Sequence, residues 1–300
     1  MPFPETLAPI SRALTERKYE DPTPVQLAVL EAKAEGRDMV VSAQTGSGKT
    51  VAYGLAIAPT LLGESMQFDY ESDPQALIVA PTRELALQVH RELRWLYQYA
   101  GARVVSCVGG MDPQREKREL EAGAHIVVGT PGRLCDHIRR KRLNITELKA
   151  VVLDEADEML DLGFREDMEF ILKITPDTRR TLLFSATLPR TIISITKQYQ
   201  RDPFRIEVTG GEGGHADIEY RAIRIAPSDV EHAVVNVLRY FESPSAIVFC
   251  NTRNAVNHLQ ASLLERGFSV VALSGGLTGF SACPRRVGSP GPATDFGECG

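Results

Sequence analysis

Cysteine is scarce in this sequence, with five residues among 300 and no Cys-x-x-Cys pair. An odd number of scattered cysteines indicates neither a disulfide framework nor a zinc site. No apolar run approaches the ~18 residues that a membrane span needs. The first residues also show no basic segment followed by an apolar one, the pattern of a secretory signal. We therefore expect a protein of the reducing cytoplasm with no membrane association.

Positive charge is also in short supply. Asp and Glu outnumber Lys and Arg by 39 to 34, which gives a formal net charge of -5. Bulk electrostatic attraction to nucleic acid is therefore weak, and such a partner would need basic residues clustered on one face. Hydrophobic residues make up 43% and charged residues 24%, an ordinary globular mix. A chain of 300 residues has room for about two domains.

Short β-branched runs alternate with helical stretches through the first two thirds of the chain. Six runs are predicted strands: 38–42, 76–80, 104–108, 126–129, 150–153 and 181–184. Most are apolar throughout, as expected of strands that are buried on both faces. Their alternation with helices such as 84–97 predicts an α/β fold with a doubly wound parallel sheet. Ligands of such sheets bind at the carboxyl ends of the strands.

Composition predicts four parts of the chain: a first α/β domain at 1–208, a glycine-dense linker at 209–217, a partial second domain at 218–277 and a tail at 278–300. The tail holds five Gly, three Pro and two Cys with no periodicity, so we expect it to be disordered.

The second domain has room for only about two βα units. We predict a helix at 230–241, a strand at 246–250, a helix ending at Arg266 and a strand at 269–273.

The strongest chemical signal follows the first predicted strand. The segment AQTGSGKT has the form of a phosphate-binding loop, with Ala in place of the usual first Gly. Backbone N–H groups of such a loop hold phosphates, a lysine neutralises the β and γ oxygens, and a hydroxyl binds Mg²⁺. The candidate residues are Ala43, Gln44, Thr45, Gly46, Ser47, Gly48, Lys49 and Thr50. The alternative is a Gly/Ser turn before a helix.

A second signal, Asp154-Glu155-Ala156-Asp157, follows the predicted strand 150–153. Asp154 is a candidate Mg²⁺ ligand, partly through water, and Glu155 a candidate general base for the attacking water. The alternative is an acidic helix start favoured by the helix dipole. The phosphate loop earlier in the chain favours the catalytic interpretation, with Lys49 as the third catalytic residue.

Seven motifs occur in one order along the chain: YEDPTPVQ at 19–26, AQTGSGKT at 43–50, PTRELA at 81–86, Gly109-Gly110, TPGR at 130–133, DEAD at 154–157 and SAT at 185–187. Together they resemble the DEAD-box ATP-dependent RNA helicases over roughly the first 275 residues. The resemblance implies a RecA-like P-loop NTPase domain followed by an incomplete second RecA-like domain. It also implies ATP and Mg²⁺ as cofactors and RNA as the partner.

Further roles follow from this resemblance alone. Gln26 would read the adenine edge. Sequence-nonspecific backbone contacts to RNA would come from Pro81, Thr82, Arg83, Gly109, Gly110, Thr130, Gly132 and Arg133. Asp157, Ser185 and Thr187 would couple hydrolysis to strand separation. In each case a structural alternative stays open. These are a polar helix start for Gln26, solvated or carboxylate-paired side chains for Arg83 and Arg133, and a polar strand end for Ser185 and Thr187.

The resemblance stops near Leu273. The expected Gln-x-x-Arg, Ala-Arg-Gly-x-Asp and His-Arg-x-Gly-Arg motifs are not found in the remaining sequence. We expect a truncated or frameshifted second domain that leaves nucleotide and weak RNA binding but little turnover, because an arginine finger contributes about 10³ to 10⁵ in rate. Two alternatives remain, an ATP- and RNA-binding module without hydrolysis and a nucleotide-driven motor that acts on DNA.

Two further features receive no functional role. The charge run at 112–121 is interpreted as a solvated helix face. The six histidines lack ligand spacing.

Overall fold

A computed structural model describes residues 3–69, 73–208, 219 and 221–273. The predicted linker at 209–217 and tail at 278–300 lie outside these residues. The chain divides into two units, Met1–Ile218 and Glu219–Gly300.

The first unit contains one seven-stranded sheet in the order β3-β4-β2-β5-β6-β1-β7. Its strands are β1 (Met39–Ala43), β2 (Ala76–Val79), β3 (Val104–Cys107), β4 (Ile126–Gly129), β5 (Ala150–Leu153), β6 (Arg180–Ser185) and β7 (Phe204–Val208). Every pairing is parallel, which confirms the predicted fold class. Strand β7 is not among the predicted strands, because exposed Arg205 and Glu207 interrupt the apolar run of this edge strand.

Helices cover both faces of the sheet. They are α1 (Ala8–Glu16), α2 (Pro24–Val29), α3 (Lys49–Leu62), α4 (Arg83–Leu96), α5 (Pro113–Glu121), α6 (Pro131–Arg139), α7 (Ala156–Asp161), α8 (Arg165–Ile174) and α9 (Arg190–Tyr199). Successive strand residues point to opposite faces. Val41 and Ile78 therefore join a core with α1–α4, whereas Val40 and Leu77 join one with α6–α9. Among the described residues, no helix combines the length and apolar character that crossing a bilayer requires.

The strand order gathers the sequence motifs along one edge of the sheet. The segments after β1, β6 and β5 are neighbours, since β6 pairs with both other strands. The segments after β2, β4 and β3 are neighbours for the same reason, since β4 pairs with both. The β2–β5 pairing joins these two groups. The carboxyl edge thus has two adjacent halves. One is formed by the segments that follow β1, β5 and β6, and the other by the segments that follow β2, β3 and β4.

The regular secondary structure in the described part of the second unit is helical. It contains α10 (Val230–Phe241), as predicted, and α11 (Arg253–Glu265). The predicted strands at 246–250 and 269–273 are wrong, because within residues 221–273 neither segment forms a ladder. A strand needs a neighbour for its N–H and C=O groups. Among the described residues the segment 246–250 has no such neighbour, and Ile247 and Phe249 are 83% and 91% exposed.

Gly129, the last residue of β4, is required by close packing. A Cβ at this position would lie 2.4 Å from the Cys107 carbonyl oxygen and 2.8 Å from Leu134. We expect Gly129→Ala to lower the free energy of unfolding by about 1–3 kcal/mol through overpacking. Urea denaturation followed by fluorescence of Trp95, the single tryptophan of the chain, measures the change.

Gly109 is the matched control for this substitution, because a Cβ there would meet no atom within 4 Å. Gly109→Ala should change stability by no more than about 1 kcal/mol. Equal losses in the two variants would contradict the packing argument.

Candidate functional site

The phosphate-binding loop connects β1 to α3. Gly46 and Gly48 have left-handed φ values of 81° and 84°, which favour glycine over residues with a Cβ. Gly48 is the N-cap residue of α3, so the loop ends at the first turn of the helix, whose backbone N–H groups have no partner within the helix. The Ser47 hydroxyl is buried without a hydrogen-bond partner among the described residues. This arrangement suits an anion such as a phosphate.

Lys49 forms a nearly buried ion pair with Glu155. The Lys49 Nζ lies 2.8 Å from Glu155 Oε1, and the two side chains are 6% and 10% exposed. Lys49 also donates to the Ala43 carbonyl at 3.1 Å. The Thr45 hydroxyl donates to the same Glu155 oxygen at 3.2 Å. The segments after β1 and β5 are thereby joined through one carboxylate.

Glu155 adopts the left-handed conformation, with φ 47° and ψ 53°, and is the N-cap residue of α7. This region is uncommon for a residue with a Cβ. It turns the chain sharply between β5 and α7, with the Glu155 carboxylate at the phosphate-binding loop. The strand, the strained turn and the helix thus place the predicted general base beside the predicted phosphate site.

Asp154 is buried beside Glu155. It accepts hydrogen bonds from the Tyr53 hydroxyl at 3.2 Å and from the Glu155 N–H at 3.0 Å. Burial raises the pKa of Asp154 to about 6, the negative charge of Glu155 adds to the rise, and Lys49 opposes it. Two carboxylates therefore share one ammonium group at this site.

The predicted Mg²⁺ ligands lie around a single hydroxyl group. The Tyr53 hydroxyl interacts with both Asp154 and Thr50, and Tyr53 is fully buried. Carboxylate and hydroxyl oxygens are the hard ligands that Mg²⁺ prefers. A dication would also balance the excess of carboxylate charge over Lys49. The donor set therefore fits Mg²⁺.

Asp157, Ser185 and Thr187, the predicted coupling residues, lie in direct contact. The Asp157 N–H donates to Ser185 Oγ at 3.2 Å. The Thr187 N–H and hydroxyl both donate to Asp157 Oδ2, at 2.9 and 2.8 Å. Burial alone would raise the pKa of Asp157, but the hydrogen bonds from Thr187 and Ser185 outweigh it and lower that pKa.

Gln26 lies against the phosphate-binding loop and is 1% exposed. Its side-chain oxygen accepts from the Thr23 N–H at 3.0 Å, which forms the capping box of α2. Its amide nitrogen donates to the Gly48 carbonyl at 3.3 Å. Gln26 thus acts as a polar residue at a helix start, which was the structural alternative, and also contacts the phosphate-binding loop directly.

The predicted RNA residues lie on the other half of the carboxyl edge. Arg83 begins α4 and is exposed. Its guanidinium adjoins Gly110, where a Cβ would lie 2.8 Å from an Arg83 nitrogen. Thr82 caps α4 by accepting from the Leu85 N–H at 3.3 Å. The remaining positions comprise buried Pro81, exposed Gly109 and Gly132, and half-buried Thr130.

Arg133 points into the protein. Its Nε donates to Glu116 Oε2 at 2.7 Å, and its terminal nitrogen donates to the Met111 carbonyl at 3.0 Å. In this structure Arg133 is therefore paired with a carboxylate, as the structural alternative predicts. The interpretation of 112–121 as a solvated face is wrong at Glu116, which is 2% exposed. The sequence signal was its spacing, since Glu116 lies one helical turn before Leu120, the apolar residue that packs on the core.

The DEAD/DEAH box helicase family profile matches residues 23–195, more than half of the chain. The chain belongs to the DEAD/DEAH box helicase family. The matched region includes every motif from the phosphate-binding loop to SAT. The profile therefore covers these motifs, which the fold brings to the carboxyl edge of the sheet.

Relatives and a solved structure agree with this assignment. The chain is 39% identical to the ATP-dependent RNA helicase DbpA of Bacillus subtilis over 89% of its residues and 55% of that protein. It is 38% identical to the ATP-dependent RNA helicase DeaD of Haemophilus influenzae over 90% of its residues and 43% of that protein. The chain thus spans about half the length of these relatives. The crystal structure of a DEAD box protein from Methanococcus jannaschii, 34% identical, matches with a TM-score of 0.63 over 92% of this chain and 72% of that one.

Because Asp154 is buried, we expect its ionised carboxylate to lower the free energy of unfolding of this DEAD-box chain. Because its folded pKa is raised from 3.8 to about 6, the folded chain binds more protons than the unfolded chain between those values. Asp154 therefore contributes most to stability below about pH 4, and this contribution is lost as the pH rises through about 6. Asp154→Asn should raise the free energy of unfolding by about 1–3 kcal/mol at about pH 8 and change it little at about pH 4.

Urea denaturation at both pH values, followed by Trp95 fluorescence, tests this. The control is Asp161→Asn, an exposed acid at the end of α7, the helix that follows Asp154, which should change stability by less than about 0.5 kcal/mol. An Asp154→Asn variant that is equally destabilised at both pH values would show that the buried charge carries no cost.

Proposed function

We propose that this chain is the ATP-binding part of an ATP-dependent RNA helicase, in which ATP binding clamps RNA and hydrolysis releases it. One observation supports this most strongly. The nucleotide and coupling motifs follow β1, β5 and β6, the RNA motifs follow β2, β4 and β3, and the β2–β5 pairing sets the two groups side by side. Changes at the nucleotide half can thereby reach the RNA half through neighbouring strand ends.

ATP binding would use the loop that precedes α3. Backbone N–H groups from Gly46 to Thr50 would hold the phosphates at the helix N-terminus. Lys49 would exchange its carboxylate partner for the more highly charged phosphates. Glu155 would then lose the ammonium that lies 2.8 Å from it and become free to bind water. Gln26, already linked to Gly48, would report adenine occupancy to the same loop.

Hydrolysis would depend on the two neighbouring carboxylates. Glu155 would orient a water molecule and accept its proton as the oxygen attacks the γ-phosphorus, with ADP as the leaving group. Thr50 and Asp154 would hold Mg²⁺, which when bound supplies charge neutralisation at the phosphate oxygens. Tyr53 would keep Asp154 oriented through its hydroxyl.

RNA binding would use phosphate and sugar contacts rather than base contacts. The exposed Arg83 offers a guanidinium, the hydroxyls of Thr82 and Thr130 offer donors, and Gly109, Gly110 and Gly132 leave backbone accessible. Such contacts carry no sequence information. Local placement of these groups would allow a chain of net charge -5 to bind a polyanion. Asp157 with Ser185 and Thr187 would transmit the nucleotide state.

We further propose that the 300-residue chain by itself hydrolyses ATP slowly. The arginine that completes the transition state in the family belongs to a His-Arg-x-Gly-Arg motif, and the sequence after Leu273 contains no such motif. Loss of an arginine finger costs about 10³ to 10⁵ in rate. Nucleotide binding, which uses the first unit alone, should remain.

The test measures binding and turnover separately. We expect the purified chain to bind a fluorescent ATP analogue in the presence of Mg²⁺, and Lys49→Ala to weaken this binding at least about tenfold by removing the phosphate cation. Lys33→Ala, an exposed lysine outside the site, is the control. Phosphate release should be slow and stimulated by single-stranded RNA more than by single-stranded DNA.

Three outcomes would contradict parts of this proposal. Unchanged binding of the ATP analogue in Lys49→Ala would contradict the assignment of the nucleotide site to the phosphate-binding loop. Stimulation by DNA alone would make the chain a DNA-dependent motor. Rapid RNA-stimulated turnover would show that the 300 residues suffice for catalysis.

A further inference from the structure

We infer that Glu116 is a positioning residue of the RNA-binding edge, and that Arg133 serves this edge as the internal partner of Glu116 rather than as a phosphate contact. The inference rests on the proposed RNA-binding function and refines the roles of residues within it. It concerns the half of the edge that follows β3 and β4.

Glu116 ties three segments together through one buried carboxylate. Its Oε1 accepts from the Val108 N–H at 2.9 Å, immediately before the Gly109-Gly110 pair. Its Oε2 accepts from Arg133 Nε at 2.7 Å, in the first turn of α6. His137 Nε2, one turn further along α6, also lies 2.7 Å from Oε2. A carboxylate only accepts hydrogen bonds, so this His137 nitrogen carries a proton.

Arg133 extends the same connection to the loop after Gly110. Its second contact, to the Met111 carbonyl at 3.0 Å, lies on the far side of the glycine pair from Val108. The Gly109-Gly110 segment is thus held at both ends, by Glu116 directly and by Arg133. The Arg133–Glu116 ion pair therefore fixes the distance between the two loops that are proposed to contact RNA, those after β3 and β4.

The exposure of the charged groups separates Arg133 from Arg83. The Arg133 side chain is 16% exposed and its Glu116 partner 3% exposed, whereas Arg83 is exposed beside Gly110. Turning Arg133 toward RNA would leave the Glu116 carboxylate buried without its cation. Removing one partner of a buried ion pair is strongly unfavourable. Of the two arginines, Arg83 is therefore the one free to meet a phosphate.

The composition of this cluster also resembles that of a metal centre. Ligand atoms of Cys107, Glu116 and His137 lie within 4.8 Å of one another, and all three residues are buried. The Arg133 guanidinium, however, already supplies a cation to Glu116 at 2.7 Å. Burial and the negative charge of Glu116 also raise the pKa of the Cys107 thiol, which opposes the thiolate that a metal requires. We therefore assign the cation position to Arg133.

The experiment compares Arg133→Gln, Glu116→Gln, the double variant and Arg83→Gln. Affinity for a short single-stranded oligouridine is measured at several salt concentrations. Each phosphate contact contributes about 0.7 to the slope of log affinity against log salt for a single strand. Affinity for a fluorescent ATP analogue without RNA shows whether each variant is folded.

We expect each single variant at Glu116 or Arg133 to weaken RNA binding about 10- to 100-fold through misplacement of the loops, with the salt slope unchanged. The double variant should bind no more weakly than either single variant, because no unpaired buried charge remains. Arg83→Gln should lower the slope by about 0.7, the value of one phosphate contact.

Several results would overturn the inference alone. The first is a slope in Arg133→Gln reduced as much as in Arg83→Gln, which would make Arg133 a phosphate contact. The second is additive losses in the double variant. The third is a Zn²⁺-dependent change in RNA affinity that Cys107→Ser abolishes, which would make the cluster a metal site. Failure of the unsubstituted chain to bind oligouridine while it binds the ATP analogue would instead overturn the proposed RNA function together with this inference.

Discussion

A parallel sheet that is covered by helices on both faces leaves its strand ends as the place for polar chemistry. Five of the seven strands of the first unit, β1, β2, β4, β5 and β6, are buried almost throughout. Charged side chains therefore lie where β5 ends at Asp154 and where β1 ends at the phosphate-binding loop. The parallel pairing of β1 with β6 and of β6 with β5 then sets the separation of these segments. The contact between Lys49 and Glu155 follows from that register.

The nucleotide site stores unfavourable energy in two places. Asp154 keeps a carboxylate in a buried position next to a second carboxylate, and Glu155 holds a left-handed backbone conformation. Both features are costly in isolation. Both also place negative charge where a phosphate-bound cation and an attacking water would use it. Hydrogen bonds from Tyr53 and Thr45 hold these carboxylates in place before any ligand arrives.

The parts of this structure that follow from local sequence were predictable. Continuous apolar runs identified six strands, and motif positions after those runs placed Lys49 and Asp154 at one edge. The edge strand β7 was not predicted, because exposed Arg205 and Glu207 flank the buried Ile206 and interrupt the apolar run. The segment 246–250 has a strand-like composition, but strand formation depends on a partner that composition does not reveal. The burial of Glu116 likewise depends on Arg133 and His137, which are distant in sequence and meet only through the β3–β4 pairing.

Carboxylate side chains connect the loops at the carboxyl edge of the sheet through hydrogen bonds and ion pairs. Glu155 joins the segments after β1 and β5, Asp157 joins those after β5 and β6, and Glu116 joins those after β3 and β4. Backbone N–H groups at strand ends lack ladder partners and need acceptors, which these side chains provide at Val108 and Thr187. These three carboxylates are therefore occupied by internal donors. Under the proposed function, an approaching polyanion would meet the exposed guanidinium of Arg83 and backbone groups at this edge, which would allow an acidic chain to bind it.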